Sequence, residues 1–133
     1  MRYMLLIYST ERAEAQADPA ELQAIMQGHH AVMEGTMKAG ILRAADPLHP
    51  TSTATTIRVQ DGKPVVMDGP FAETKEQLGG YYILDCKDLD EAIAWARKIP
   101  TACKGGPGCV EVRPILEIEQ LREQIQQGLA KAV

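Results

Sequence analysis

The hydrophobic pattern of this chain predicts an α+β fold, a ferredoxin-like split-βαβ sandwich with an extra hairpin. Three observations carry that reading. Apolar segments switch between strand and helix periods in the order strand, helix, strand, hairpin strands, strand, helix, strand. Each helix opens on a capping box, and Asp61-Gly62 supplies a tight turn between two short β-prone runs. Right-handed crossovers then leave few topologies other than an antiparallel sheet with both helices on one face.

Residues 2–8 are short, apolar and β-prone and end at Ser9-Thr10, so they form the first strand. Residues 9–17 are polar and are expected as a loop. Asp18, Pro19 and Glu21 supply an N-cap, a proline at the first helical position and a capping acid. The helix they open runs to about Ala39, with Gly40 just past its end. On a wheel of about 100° per residue its apolar stripe is Leu22, Ile25, Met26, His29, Met33, Thr36 and Met37. His29 sits near the middle of that stripe and His30 at its margin. Gly28 and Gly35 are expected on the opposite face, each costing about 1 kcal/mol of helix propensity relative to alanine. Packing must therefore hold this helix.

Residues 41–48 read as the second strand, frayed by Pro47 and Pro50. Residues 55–60 and 63–68 flank the hairpin turn, and residues 81–86 form a strand apolar on both faces apart from Asp85. A second capping box, Asp88 to Glu91, opens a helix that turns Leu89, Ala92, Ile93 and Ala96 inward until Pro100 stops it. Residues 110–118 form the last strand, so the domain spans residues 1–118. Residues 119–133 repeat Leu121, Ile125 and Leu129 as a single apolar line on a C-terminal amphipathic helix or arm. A line that narrow docks on the domain or on a partner subunit. Both predicted helices cover one face of the sheet, and the other face is apolar enough to need a cover. Two-fold pairing of sheet faces in a homodimer provides it.

A chain of 133 residues is long enough for one domain with its own core. Its net charge of −4 and scattered Lys and Arg argue against direct nucleic-acid binding. The apolar start is too short for a signal sequence, and no run reaches the roughly 20 residues that span a bilayer. The expected location is the cytoplasm, away from membranes. Cys86, Cys103 and Cys109 lack C-x-x-C spacing, which fits free thiols, with a Cys103–Cys109 bridge as the alternative. The stretch from Lys104 to Gly108 lacks the glycine order and the strand–helix setting of a phosphate loop. Histidine spacing gives no metal motif, no serine or cysteine nucleophile motif is visible, and no cofactor is expected.

Function is expected between residues 61 and 86. The run Val65-Val66-Met67 ends at Asp68 and breaks at Gly69-Pro70, which leaves a carboxylate at the sheet rim. A compact loop with Phe71, Glu73, Lys75 and Glu76 follows, and Gly79-Gly80 permits a tight turn or a close backbone approach. Asp68-Gly69-Pro70-Phe71, Glu73, Lys75-Glu76 and Leu78-Gly79-Gly80-Tyr81 resemble the signature of the DGPF-domain subgroup of the YCII-related family. The likeness continues through residues 89–96 and Glu111-Val112-Arg113-Pro114, and covers roughly residues 1–118. It implies a dimeric α/β barrel and a catalytic histidine on the first helix, a place His29 takes by its ungapped spacing through Ala39 to Pro47. It also implies an aspartate partner just before the proline after the second helix, where this chain has Ile99 before Pro100.

Asp68 is the carboxylate expected to serve His29 instead, fixing its tautomer and favouring the cation. Lys75 and Arg113 are the expected binders of an anionic substrate, and Phe71 a lid over the pocket. Each has a structural alternative: a packed core histidine, an Asx turn, surface ion pairs and a loop anchor. Tyr8 and Tyr81 read as core or interface residues. Two functional readings follow. One is a small cofactor-independent enzyme in which His29 moves a proton beside a carbonyl of a small acidic or aromatic-derived molecule. That chemistry covers isomerisation, lactone opening and elimination. The other, which the resemblance implies, is a non-catalytic ligand-binding or regulatory module linked to extracytoplasmic-function sigma factors.

Overall fold

The computed structural model describes residues 1–101 and 106–132. In chain order it contains β1 (Arg2–Ser9), α1 (Glu11–Ala15), α2 (Pro19–Lys38), β2 (Leu42–Pro47) and a 3₁₀ turn at Thr51–Thr53. Then come β3 (Thr55–Gln60), β4 (Lys63–Asp68), β5 (Gln77–Asp85), α3 (Leu89–Ala96), β6 (Gly108–Pro114) and α4 (Ile118–Ala132). The main sheet has the order β2-β5-β1-β6 with every neighbouring pair antiparallel, while β3 and β4 form a two-stranded sheet of their own. Each of α2 and α3 thus links two strands that hold a third between them. The architecture is α+β, built on one antiparallel sheet.

Local chemistry accounts for the element ends. Asp18 accepts the Glu21 backbone N–H at 2.9 Å, and Asp88 accepts that of Glu91 at 2.9 Å. Gly40 leaves α2 at φ +73°, and Asp61 and Gly62 turn the hairpin at φ 51° and 77°. Two successive left-handed residues match the right-handed twist of the strands they join. The polar stretch after β1 is not all loop, because residues 11–15 close a short helix. Hydrogen bonds of Glu11 clip α1 to its surroundings. The Glu11 N–H donates to Gln77 Oε1 at 3.0 Å, and Glu11 Oε1 accepts the Thr51 N–H at 2.8 Å.

The core lies between one face of the main sheet and the two longer interior helices. Tyr3, Leu5 and Ile7 of β1 and Tyr82 and Leu84 of β5 meet Val32, Ala92 and Ile99. Alternate residues of β1 and β5 (Met4, Leu6, Tyr8, Tyr81 and Ile83) are half-buried on the sheet's other face. There β6 contributes exposed Cys109, Glu111 and Arg113, so the last strand is polar on the side expected to be apolar.

The rotation of α2 also differs from the expected one. Its inward residues are Val32 and Thr36, with Ile25, Gly28, His29 and Gly35 beside them, whereas Met26 is 71% and Met37 64% exposed. The glycines are the reason. A Cβ on Gly35 would lie 2.9 Å from the Trp95 ring, and one on Gly28 would lie 3.0 Å from Pro100 Cγ. Missing side chains let α2 approach α3 and the segment after it, and a wheel that scores hydrophobicity alone gives glycine no credit for this. Gly80 has the same role in the sheet, where a Cβ would stand 2.9 Å from the Asp46 carbonyl oxygen. The glycine pair therefore lies inside β5 rather than at a turn, and Gly80 is the member that serves close approach.

Helix propensity alone would make Gly35→Ala stabilising by about 1 kcal/mol. Overpacking a filled contact costs about 1–3 kcal/mol, so the expected result is a net loss of about 1 kcal/mol. Gly128→Ala, where an added Cβ meets nothing within 4 Å, is expected to leave stability unchanged or raise it. Urea unfolding of both variants checks the contrast; a stabilised Gly35→Ala would show that the α2–α3 contact is loose.

Candidate functional site

A hollow of about 720 Å³ lies where the middle of α2 passes over the β2–β5 edge and α1 closes the side. Its size is that of a small-molecule site. Apolar walls come from Ile7, Ile25, Met33, Leu48 and Pro100, and polar groups enter from His29, Tyr82, Ser9 and Glu14. These positions follow from the fold. Strand alternation puts Ile7 and Ser9 of β1, and Gly80 and Tyr82 of β5, on the helix-facing side. The glycine contacts of α2 turn His29 toward the same place.

His29 Nδ1 lies 2.8 Å from the Tyr82 hydroxyl, and the two rings are nearly parallel at 13° with centroids 6.0 Å apart. Tyr82 is only 3% exposed, so the phenol is a fixed anchor. No described residue bonds Nε2, and the described residues include no buried side-chain nitrogen or oxygen without a partner. Nε2 is therefore open to the solvent of the cavity. Partial burial disfavours the imidazolium and holds the His29 pKa below the usual histidine value, while the Glu14 carboxylate opposes part of that shift. Burial also raises the Tyr82 pKa, which keeps the phenol protonated at neutral pH. It can donate one hydrogen bond and accept another.

Glu14 is held in place by the hydroxyl of buried Ser9, which donates to Oε1. Beside it, Glu11 spends both oxygens on Thr51, one on the N–H at 2.8 Å and one on the hydroxyl at 2.9 Å. On the far rim the Tyr81 hydroxyl donates to Asp46 Oδ2 at 2.5 Å, an interaction that raises the Tyr81 pKa. The site thus offers an imidazole, a phenol and a fixed carboxylate around an apolar hollow.

Of the expected site residues His29, Asp68, Phe71, Lys75 and Arg113, only His29 lines this cavity. Asp68 ends β4, paired with Thr55 in the separate hairpin sheet, and the ring nitrogen expected to meet it meets Tyr82 instead. Phe71 is 72% exposed, its carbonyl accepting from Arg58 at 2.7 Å, so within one chain it covers nothing. Lys75 is exposed in the loop before β5, and Arg113 is exposed on β6 beside Met4, on the sheet face away from α2. The carboxylate that favours the His29 cation electrostatically is Glu14. Ser9, Glu14 and Tyr82 were missed because nothing in their spacing marks them. The one available signal was the alternation that sets Tyr82 inward beside Leu84.

Among the described residues no group of three or more His, Cys, Asp or Glu side chains is placed to hold a metal. Cys86 is buried, and burial pushes its thiol pKa up to about 11, which suits a core residue rather than a nucleophile. Cys103, and with it the alternative bridge to Cys109, lies outside the described residues. No helix among the described residues is long and apolar enough to cross a membrane.

The His29 shift has a consequence for stability. The unfolded chain takes up this proton near the ordinary value of about 6.5, and the folded chain only at lower pH. Between those values the unfolded state binds more protons. The His29 contribution is therefore intact above about 6.5, falls as pH drops through that window, and levels off below the folded pKa. His29→Gln is expected to lose this part of the acid sensitivity, read from urea midpoints between about pH 7.5 and 5. An unchanged slope would mean that the ring titrates as it does in the unfolded chain.

The YCII-related domain matches residues 1–119. An uncharacterized protein of Rhizobium meliloti (strain 1021) is 42% identical over 115 residues, covering 86% of this chain and 92% of the relative. With the domain matched over nearly the full length and a relative this similar, the chain belongs to the YCII-related family.

Proposed function

We propose that this protein is a small enzyme that works without a cofactor, using His29 as a general base to move a proton beside a carbonyl. One observation carries the reading: Nδ1 is tied to a buried phenol while Nε2 opens onto the cavity. The Tyr82 hydroxyl also lies 3.5 Å from the His29 carbonyl oxygen. If the phenol donates there, the imidazole donates Nδ1–H to the phenol oxygen and keeps the lone pair on Nε2. A neutral ring with a lowered pKa is ready to accept a proton at neutral pH. Glu14 then stabilises the imidazolium as it forms, the role the sequence reading gave to Asp68. Isomerisation, lactone opening and elimination are the reactions such a pair serves.

The test is solvent-deuterium exchange into a panel of enolisable ketones and lactones. His29→Gln is expected to lose about 10²–10⁴-fold in rate. Tyr82→Phe is expected to keep measurable activity with its pH profile displaced, because the ring loses its orienting partner. The ascending limb of wild-type kcat/KM is expected below about pH 6.5. A folded His29→Gln variant with undiminished exchange would sink this assignment.

The finer family and fold assignments belong to the same proposal. The Asp68-Gly69-Pro70-Phe71 bend and the residues after it support the DGPF-domain subgroup. The strand order β2-β5-β1-β6 supports a ferredoxin-like sandwich. Pairing of two such sheets as a dimeric α/β barrel is supported by exposed surface. The chain exposes 9512 Å² at 14.5 kDa, against about 6,900 Å² for a compact monomer of that mass. Ile57, Val66 and Phe71 of the hairpin region are each more than 60% exposed and form part of that excess. Light scattering behind size-exclusion chromatography is expected to give twice the chain mass; a single-chain mass at micromolar concentration removes the homodimer.

A further inference from the structure

We propose that the cavity selects a ligand with an apolar body and an ammonium head, and excludes carboxylates of the same shape. This rests on the cavity being the working site, but not on what His29 does there. Ile25, Met33 and Leu48 provide apolar wall, which suits a ring or a branched aliphatic group. The charges are one-sided. Glu11, Glu14 and Asp46 all line the hollow, and against them its described lining residues include no Lys or Arg, only the imidazoles of His29, His30 and His49. Lys75 and Arg113, the expected anion binders, stand elsewhere in the fold.

Glu14 is the specific contact. The buried Ser9 hydroxyl holds one of its oxygens, and no described residue donates to the other. Glu11 has both oxygens engaged by Thr51, so it adds negative field rather than a free acceptor. An entering carboxylate would give up water without meeting a fixed cation, and would face the Glu14 charge across an apolar space. An ammonium would exchange its water for the free Glu14 oxygen in a charge-assisted hydrogen bond. The His29–Tyr82 pair carries no charge, so discrimination by charge falls to the carboxylate.

The test compares two probes of matched shape, 3-phenylpropan-1-amine and 3-phenylpropanoate, by isothermal titration against the full chain at neutral pH. The amine is expected to bind roughly tenfold to a hundredfold more tightly, the range of a single hydrogen bond to a charged group. Glu14→Gln keeps an acceptor for Ser9 and is expected to abolish the preference. Asp90→Asn, which removes a carboxylate outside the cavity, is expected to retain it. Tighter or equal binding of the carboxylate, binding of neither probe, or a preference that survives in Glu14→Gln overturns the proposal. If the amine preference holds but deuterium exchange is indifferent to His29, the enzyme reading fails and the ligand class stands.

Discussion

The close approach of α2 to α3 is the contact on which the site depends. Gly35 lies under the Trp95 ring and Gly28 under Pro100, with no room for a Cβ at either place. Such contacts fix rotation about the helix axis as well as distance. Turning α2 by one residue would exchange Val32 and Thr36 for Met33 and Met37, or for Ala31 and Gly35, overfilling or emptying a core where both are almost wholly buried. The same rotation leaves His29 at the edge of the core, over Tyr82, instead of within it. Methionines that a hydrophobicity count would bury are left outside as a consequence.

Three effects set the electrostatics of the His29 ring, and their balance decides its charge. Removal from water disfavours the cation and is the largest influence; the Glu14 carboxylate favours the cation and is smaller. The Tyr82 phenol is neutral and shifts no charge balance of its own, but it fixes the ring plane. The ring is therefore neutral at rest, with an anion near enough to assist once a proton arrives. A directly bonded aspartate would have raised the pKa instead and left more of the base already protonated. The substitution of a phenol for that acid is a change of chemistry as well as of residue.

The fold was largely legible because its signals are local. Asp18 and Asp88 cap helices by reaching three residues ahead, and Asp61-Gly62 turns a hairpin through backbone preferences that the two residues carry themselves. What failed was non-local. The roles of Gly28 and Gly35 depend on a proline 72 and a tryptophan 60 residues further on, and no wheel drawn for one helix contains them. The site divided in the same way. His29 could be found because a polar ring on an apolar stripe is conspicuous. Glu14 looked like one acid among several in a polar stretch, and only the fold of α1 brings it to buried Ser9. Asp68 stands out in sequence because it ends a strand, but that strand lies in the two-stranded sheet of β3 and β4 and not in the main sheet that carries Tyr82.

Whether His29 is a packing residue or a working one turns on its second nitrogen. A histidine kept for structure spends both ring nitrogens on fixed partners or loses them to burial, because an unpaired buried polar atom is costly. Here Nδ1 is spent on a phenol that the core holds rigidly, and Nε2 is neither bonded by a described residue nor sealed. Around it the chain leaves an open hollow of about 720 Å³. Exposed apolar walls of that extent bring no stability of their own. A half-buried base, a fixed carboxylate and an unfilled apolar space together make sense when something else is meant to occupy the gap, and packing alone accounts for none of the three.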